Sequence, residues 1–242
     1  MHVVAHRAAA SSAPENSIEA VVECIEKGVD IIEVDIRLTS DGEPVLFHDD
    51  NLSRMTNSSS SVEDCMLVHL QELHLNNSDK TSTPSHIPTL SQLLEVVDGK
   101  CRLLLDLKCS DEFAEKMAKA IINDIAAYGA AGWVTAQSFN DKVLSEIHRL
   151  GHPFPLEKLF VFKLPLLPLA YDKGFVHYSY SKYDYVESFN FNYRCVSPSL
   201  VRDIHEHGKR VKLWTVGRPF DTPVLPVDGV ITDCPWEWQV NR

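Results

Sequence analysis

Ile31-Ile32-Glu33-Val34-Asp35-Ile36-Arg37-Leu38-Thr39-Ser40-Asp41-Gly42-Glu43-Pro44-Val45-Leu46-Phe47-His48-Asp49-Asp50 reads as two apolar runs joined by Asp41-Gly42. That dipeptide tolerates positive φ at both residues and is the strongest short signal for a hairpin. A two-residue Asp41-Gly42 loop puts His48 directly opposite Asp35. Side chains so paired keep their Cβ atoms roughly 4.5–5.5 Å apart, and Glu33, two residues from Asp35, shares its face. Two carboxylates and an imidazole then converge on one patch. Alone, the pattern fits an ordinary surface hairpin equally well, so the flanking chain decides.

Upstream, the strand Val3-Val4-Ala5 ends at His6-Arg7. A small-residue loop from Ala8 to Ser17 and an amphipathic helix over 18–25 follow, which makes a strand-loop-helix unit. Gly28 ends that helix, and a second strand over 30–34 leads into the hairpin. The returning arm, 45–48, must run antiparallel, so it is no strand of a parallel sheet. Downstream, residues 52–83 form a polar excursion with a short helix near 68–73. Ile87-Pro88-Thr89-Leu90 opens a helix with Pro88 near its N-terminus, and Gly99 stops it. Residues 102–108 form a continuous apolar strand of the buried parallel kind, carrying Asp106 and Lys108 at its C-terminal end. A plain salt bridge is the ordinary explanation for that pair. Helix 111–128, strand 133–138, helix 140–150, strand 158–162, helix 199–207, strand 210–215 and strand 229–232 continue the alternation. The aromatic stretch 164–192 reads as core, as a short strand near 189–191, or as a wall at a binding mouth.

Without the hairpin arm, parallel strands fall near residues 3, 31, 104, 135, 160, 190, 212 and 230. Eight strands alternating with helices predict an α/β fold, a (β/α)8 TIM barrel, as one domain over 1–242 with a β-hairpin insertion at about residues 36–50 above the C-terminal rim. His6, Arg7, Glu33, Asp35, His48, Asp106, Lys108 and Trp214 all map to that rim, where such barrels carry their sites.

At 242 residues and 44% hydrophobic content, the chain is long enough to bury one full core. Its net charge of −11, from 34 acidic and 23 basic residues without a basic run, argues against nucleic acid as a partner. No stretch has the apolar length of a membrane span. The residues given begin almost at once with a strand, so a cytoplasmic setting is expected; a membrane-anchored or luminal one would need a leader before Met1. Cys24, Cys65, Cys101, Cys109, Cys195 and Cys234 lack C-x-x-C spacing and read mostly as reduced thiols. Sequons at Asn51, Asn57 and Asn76 matter only in a secretory compartment.

The same residues carry a resemblance. His6-Arg7 with Pro14-Glu15-Asn16-Ser17, Glu33-Val34-Asp35, Thr39-Ser40-Asp41-Gly42 running to His48-Asp49, Asp106-Leu107-Lys108, Trp214-Thr215-Val216 and Asp228-Gly229-Val230-Ile231-Thr232-Asp233 follow one another in order. In this the chain resembles the glycerophosphodiester phosphodiesterase family from end to end. The resemblance implies metal-dependent hydrolysis of glycerophosphodiesters to glycerol 3-phosphate and an alcohol. Glu33, Asp35 and Asp106 would hold one divalent metal ion, Mg²⁺ or Ca²⁺, against a phosphate oxygen. Arg7 and Lys108 would contact the other phosphate oxygens, and His6 and His48 would exchange protons as general base and general acid. Glu15 would position a histidine or the metal site, and Trp214 would line the pocket. In the family the glycerol 2-hydroxyl is thought to attack first, and water then opens the cyclic product.

Three positions depart from the family pattern: Ala8 replaces the usual Gly, Asp106 the usual Glu, and Gly217 the usual Asn. They bear on substrate preference more than on reaction type. Two alternatives therefore stay open: a lysophospholipase D releasing lysophosphatidic acid, with residues 171–193 as the acyl-chain wall, and an inactive barrel used for binding. The expected partner is a small-molecule glycerophosphodiester or lysophospholipid. Any membrane association would run through a segment outside this chain, and oligomeric state is unspecified.

Overall fold

The computed structural model describes residues 1–8, 12–77, 79–165, 167–217 and 226–239. Ala9, Ala10 and Ser11 of the small-residue loop lie outside these. Eight strands, β1 (His2–Ala5), β2 (Ile31–Leu38), β3 (Arg102–Leu107), β4 (Val134–Ser138), β5 (Leu156–Phe160), β6 (Ser188–Asn192), β7 (Arg210–Trp214) and β8 (Gly229–Thr232), each pair in parallel with the next. The barrel closes where Val3 of β1 meets Val230 of β8 and Val4 meets Ile31 of β2. All eight expected strands are present.

Side chains alternate along each strand. Outward positions such as Ile32, Val34, Leu103, Leu105, Phe189 and Leu213 are buried in the main apolar core. The helices α1 (Ile18–Glu26), α2 (Leu90–Val97), α3 (Ala114–Ala127), α4 (Asp141–Leu150) and α5 (Pro198–Glu206) cover that layer with their own apolar stripes. Their starts follow from capping chemistry. Ser17, Asn140 and Ser197 accept from N–H groups of the first turn, and Thr89 forms a capping box with Gln92. Pro88, expected near the start of α2, therefore precedes its cap. Inward positions are far more polar, and they build the site described below.

The hairpin corrects the expected register. Ile36 pairs with Leu46, Arg37 with Val45 and Leu38 with Pro44. The loop holds three residues, Ser40, Asp41 and Gly42, closed by Thr39 N–H to Glu43 O at 3.0 Å and Gly42 N–H to Thr39 O at 3.0 Å. Only Gly42 has positive φ, 96°, the left-handed position of a three-residue loop. Phe47, not His48, faces Asp35, and its N–H donates to Asp35 O at 3.0 Å. A one-residue slip reverses the face of every paired side chain. His48 reaches the rim because the chain leaves the ladder after Phe47.

Residues 52–83 hold more structure than expected. The short helix is Leu67–Leu70, and His74–Asn76 pairs with Ser82–His86. Val45, Phe47, Leu52, Met55, Val62, Leu70, Leu75 and Ile87 form a second small core beneath this insertion. The strand expected over 158–162 runs from 156 to 160 instead, because Val161 N–H already bonds Tyr171 O in a separate three-stranded sheet. Of the aromatic stretch, Tyr178, Tyr183, Phe189 and Phe191 are core. They cannot serve as an acyl-chain wall. Among the described residues, no helix is long and apolar enough to cross a membrane, and none of the six cysteines is joined in a disulfide.

Replacing Gly42 with Ala forces a Cβ into positive φ. The expected cost is about 1 kcal/mol, or about 2–4 °C in Tm for a chain of this size. Calorimetry checks it; an unchanged Tm would contradict the three-residue loop.

Candidate active site

Glu33 and Asp35 sit two apart on β2 and point into the barrel; Asp106 sits beside Asp35 in register on β3. All three are at most 5% exposed, and their carboxylate oxygens approach within 4.8 Å of one another. Burial, and then the neighbouring Asp35, push Glu33 up to about 8. Burial also raises Asp106. Burial would raise Asp35 too, but the Lys108 ammonium and Arg7 guanidinium outweigh it and hold Asp35 below the usual carboxylate range.

These two cations are placed by different means. Lys108 follows β3; its Nζ bonds Asp106 Oδ2 and lies 3.1 Å from Asp35 Oδ1. Arg7 follows β1 in a left-handed conformation (φ 53°, ψ 24°), which turns its N–H onto Glu33 Oε2 at 2.8 Å and its Nε toward Asp35 Oδ2 at 3.4 Å. Asn16, also at positive φ, ties this turn to β2. It donates through Nδ2 to Asp35 Oδ2 and accepts from Asp35 N–H through Oδ1, both at 3.0 Å.

Each expected histidine is paired through Nδ1 with its own carboxylate. His6 bonds Asp233 Oδ1 at 2.6 Å, and His48 bonds Asp49 Oδ1 at 2.6 Å. Occupying Nδ1 leaves Nε2 as the working nitrogen. Burial would lower the pKa of His6, but Asp233 and Glu33 outweigh it and the net shift is upward. Asp49 is itself held by Arg54 Nε; Arg54 also forks onto Glu15, with Nη2 to Oε1 at 2.5 Å and Nη1 to Oε2 at 3.1 Å. Glu15 in turn accepts from Arg7 Nη1 at 3.2 Å. One chain of contacts thus runs from His48 through Asp49, Arg54 and Glu15 to Arg7.

His6, Arg7, Glu33, His48, Asp106, Lys108 and Trp214 share one cavity of about 110 Å³. Trp214 donates to Asn190 O at 3.2 Å and meets Phe139 edge-on at 5.5 Å. A neighbouring cavity of about 360 Å³ shares His48, Lys108 and Phe139 and extends to Arg37, Val161 and Lys173. The structure thus brings every expected site residue to one rim. Asp49, Arg54, Asn16, Asp233 and Phe139 also belong to the site, beyond the residues expected from the sequence. Asp49, Asn16 and Asp233 stand inside the quoted motifs, whereas Arg54 and Phe139 carry no local signal.

Asp106 Oδ1 is buried without a hydrogen-bond partner, an unsatisfied acceptor in an all-oxygen donor set. That chemistry suits a hard divalent cation. Adding Mg²⁺ or Ca²⁺ should stabilise the fold by about 2.7 kcal/mol at about 100 times Kd, and Asp106→Asn should abolish the shift. Thermal melts with and without chelator check this; an identical shift in the variant would place the ion elsewhere.

A sequence model of the glycerophosphoryl diester phosphodiesterase family matches residues 6–237. A glycerophosphodiester phosphodiesterase of Caldanaerobacter subterraneus is 30% identical over 238 residues, covering 96% of this chain and 94% of its own. One from Bacillus subtilis is 24% identical, covering 96% of this chain and 83% of its own. In fold, an Oleispira antarctica phosphodiesterase, solved in complex with the product sn-glycerol-3-phosphate, superposes with a TM-score of 0.82 at 22% identity, over 99% of this chain and 96% of that one. The chain belongs to the glycerophosphoryl diester phosphodiesterase family, a family of phosphoric diester hydrolases.

Proposed function

We propose that this domain, residues 1–242, hydrolyses glycerophosphodiesters to glycerol 3-phosphate and an alcohol, with His6 and His48 as general base and general acid. The observation that carries the reading is the joint arrangement at the rim: two carboxylate-paired histidines share a cavity with buried acidic residues and two cations. Arg7 and Lys108 bind the phosphate as charge partners, with the Arg7 fork suited to two oxygens. One histidine takes the proton of the attacking glycerol 2-hydroxyl through Nε2 as its oxygen bonds to phosphorus, and the other delivers a proton to the alkoxide whose bond to phosphorus breaks; water then opens the cyclic phosphate with the two roles reversed. Asp49 and Asp233 hold the two rings in orientation, and Asp233 helps to raise the pKa of His6. Glu33, Asp35 and Asp106 would hold one Mg²⁺ or Ca²⁺ ion, which when bound supplies positive charge to the phosphoryl oxygens as negative charge builds. Phe139 and Trp214, in edge-on contact, form an apolar side of the cavity.

A lysophospholipid is the second reading, favoured by the neighbouring cavity, whose apolar wall includes Leu107, Phe139 and Val161. Release of glycerol 3-phosphate or lysophosphatidic acid from a panel of glycerophosphodiesters and lysophospholipids, with Mg²⁺, Ca²⁺ or EDTA, separates the two. Absence of turnover on every substrate would favour an inactive, binding barrel.

His6→Ala and His48→Ala should each lower turnover about 10²- to 10⁴-fold with Tm retained, and Glu33→Gln should lose activity together with metal dependence. Full activity in either histidine variant would refute the proton-transfer roles. Arg54→Ala, which releases both Asp49 and Glu15, should lower turnover about 10- to 100-fold. Lysine there should restore little, because a single ammonium cannot fork across two carboxylates. Wild-type rates in both Arg54 variants would show that the contact chain has no positioning role.

A further inference from the structure

A lysine whose side chain is 0% exposed stands behind the wall of the site. Leu159 of β5 lines the site cavity and Glu157 bonds Asn190 inside the barrel, so Lys158 between them points outward, toward the helix layer. An ammonium there has lost its water, and each of its three N–H groups needs an acceptor. Three acceptors surround it. Lys158 Nζ donates to Phe139 O at 2.5 Å and to Asp172 Oδ2 at 2.9 Å, and it lies 3.1 Å from Asp141 Oδ1. They come from three segments: the turn after β4, the first residue of α4 and the connection between β5 and β6.

Both carboxylates are also fixed from elsewhere. Asp141 Oδ2 accepts from Lys182 Nζ at 2.5 Å, and Asp172 Oδ1 accepts from the N–H groups of Lys173 and Gly174 at 2.5 and 3.2 Å. The ammonium is therefore a clamp with two rigid jaws, and its remaining bond falls on the backbone of Phe139. An apolar side chain would fill the same space without desolvating a charge; what the lysine adds is the hold on that oxygen.

Phe139 carries its ring into the site, where it lines both the cavity of about 110 Å³ and its neighbour of about 360 Å³. It meets Trp214 edge-on, and its centroid lies 5.9 Å from Lys108 Nζ, within reach of a cation–π contact. The residues on either side are anchored, Ser138 Oγ donating to Leu107 O at 2.7 Å and Asn140 Nδ2 to Cys109 O at 3.1 Å. With both ends fixed, the tilt of the 139–140 peptide decides where the Phe139 Cα–Cβ bond points. Lys158 sets that tilt through the carbonyl oxygen.

We propose that Lys158 is a positioning residue of the site: its ammonium, enclosed outside the barrel wall, holds the Phe139 turn so that the ring stands beside Lys108 and Trp214. The kinetic consequence depends on the hydrolysis proposed above, whereas the placement of the ring does not.

Lys158→Met alone would strand the Asp172 charge without its cation, so it is combined with Asp172→Asn, which keeps an Oδ1 acceptor for the two N–H groups. With 4-fluorophenylalanine in place of Phe139, the fluorine NMR resonance should shift or split in this double variant while Tm is retained. Lys182→Met, which removes the other cation on Asp141, should leave the resonance in place. In turnover of a water-soluble diester, the double variant should raise KM about 3- to 10-fold with kcat retained, and adding it to Phe139→Ala should raise KM no further. An unmoved resonance would overturn the proposal, as would an unchanged KM in the folded double variant or the same resonance change in Lys182→Met. Absence of turnover by the unmodified chain would count against the hydrolysis alone, and the resonance would then decide the role of Lys158.

Discussion

Burying Glu33, Asp35 and Asp106 within one part of a barrel interior is the constraint on which the rest of the site depends. Desolvated carboxylates this close cannot all ionise unless cations stand beside them. Pairing of β2 with β3 is what brings them together, since Asp35 and Asp106 are register partners on these adjacent strands. The fold answers with Lys108 from the end of β3 and Arg7 from the end of β1, and it leaves Asp106 Oδ1 unsatisfied. A rim with that charge pattern is already matched to a phosphate anion: fixed positive groups face outward from a fixed negative floor.

Arg7 can do this only with its backbone in the left-handed region, and Ala8 follows it there at φ 51°. Consecutive non-glycine residues in that region are strained by roughly 1–2 kcal/mol each. Several contacts offset the strain: Arg7 N–H on Glu33, Arg7 O accepting from Asn16 N–H at 2.9 Å, and complete burial of the Ala8 methyl. This explains why glycine is the usual family residue at Ala8, and how this chain tolerates the departure. The methyl gains apolar contact inside the core and gives up conformational ease. Asn16 belongs to the same device, because its side chain joins the strained turn to Asp35.

Legibility in the sequence followed physical scale. Buried parallel strands carry continuous apolar runs, and a titratable residue at the end of such a run stands out, so the eight strands and the rim residues could be read directly. Asp41-Gly42 announced a hairpin but not its loop length, because one positive-φ residue or two produce the same dipeptide. Inside the barrel, Asn190 donates to Gln137 Oε1 at 2.8 Å and to Glu157 Oε2 at 2.7 Å, and Lys212 bonds Glu157. None of these four was legible. A single polar residue within an apolar strand reads as a solvent-facing position, and only closure of the sheet turns that face into an interior. Arg54 was hidden for a related reason: its two carboxylate partners are 5 and 39 residues away in the chain.

The two histidines are held by different parts of the fold. His6 is one residue past β1, so the barrel itself fixes its backbone. His48 follows the last rung of the hairpin ladder, and its backbone O accepts from Arg37 Nε at 3.0 Å. Phe47 on one side of it and Leu52 on the other are buried in the small core of the insertion, not in the barrel. Its ring partner Asp49 is fixed by Arg54, which also belongs to the insertion. The position of His48 therefore depends on a satellite core that buries far fewer apolar residues than the main one. Regions with few buried apolar contacts open at lower free energy than the core. The contact chain from Asp49 to Arg7 opposes such opening by tying the insertion back to the end of β1.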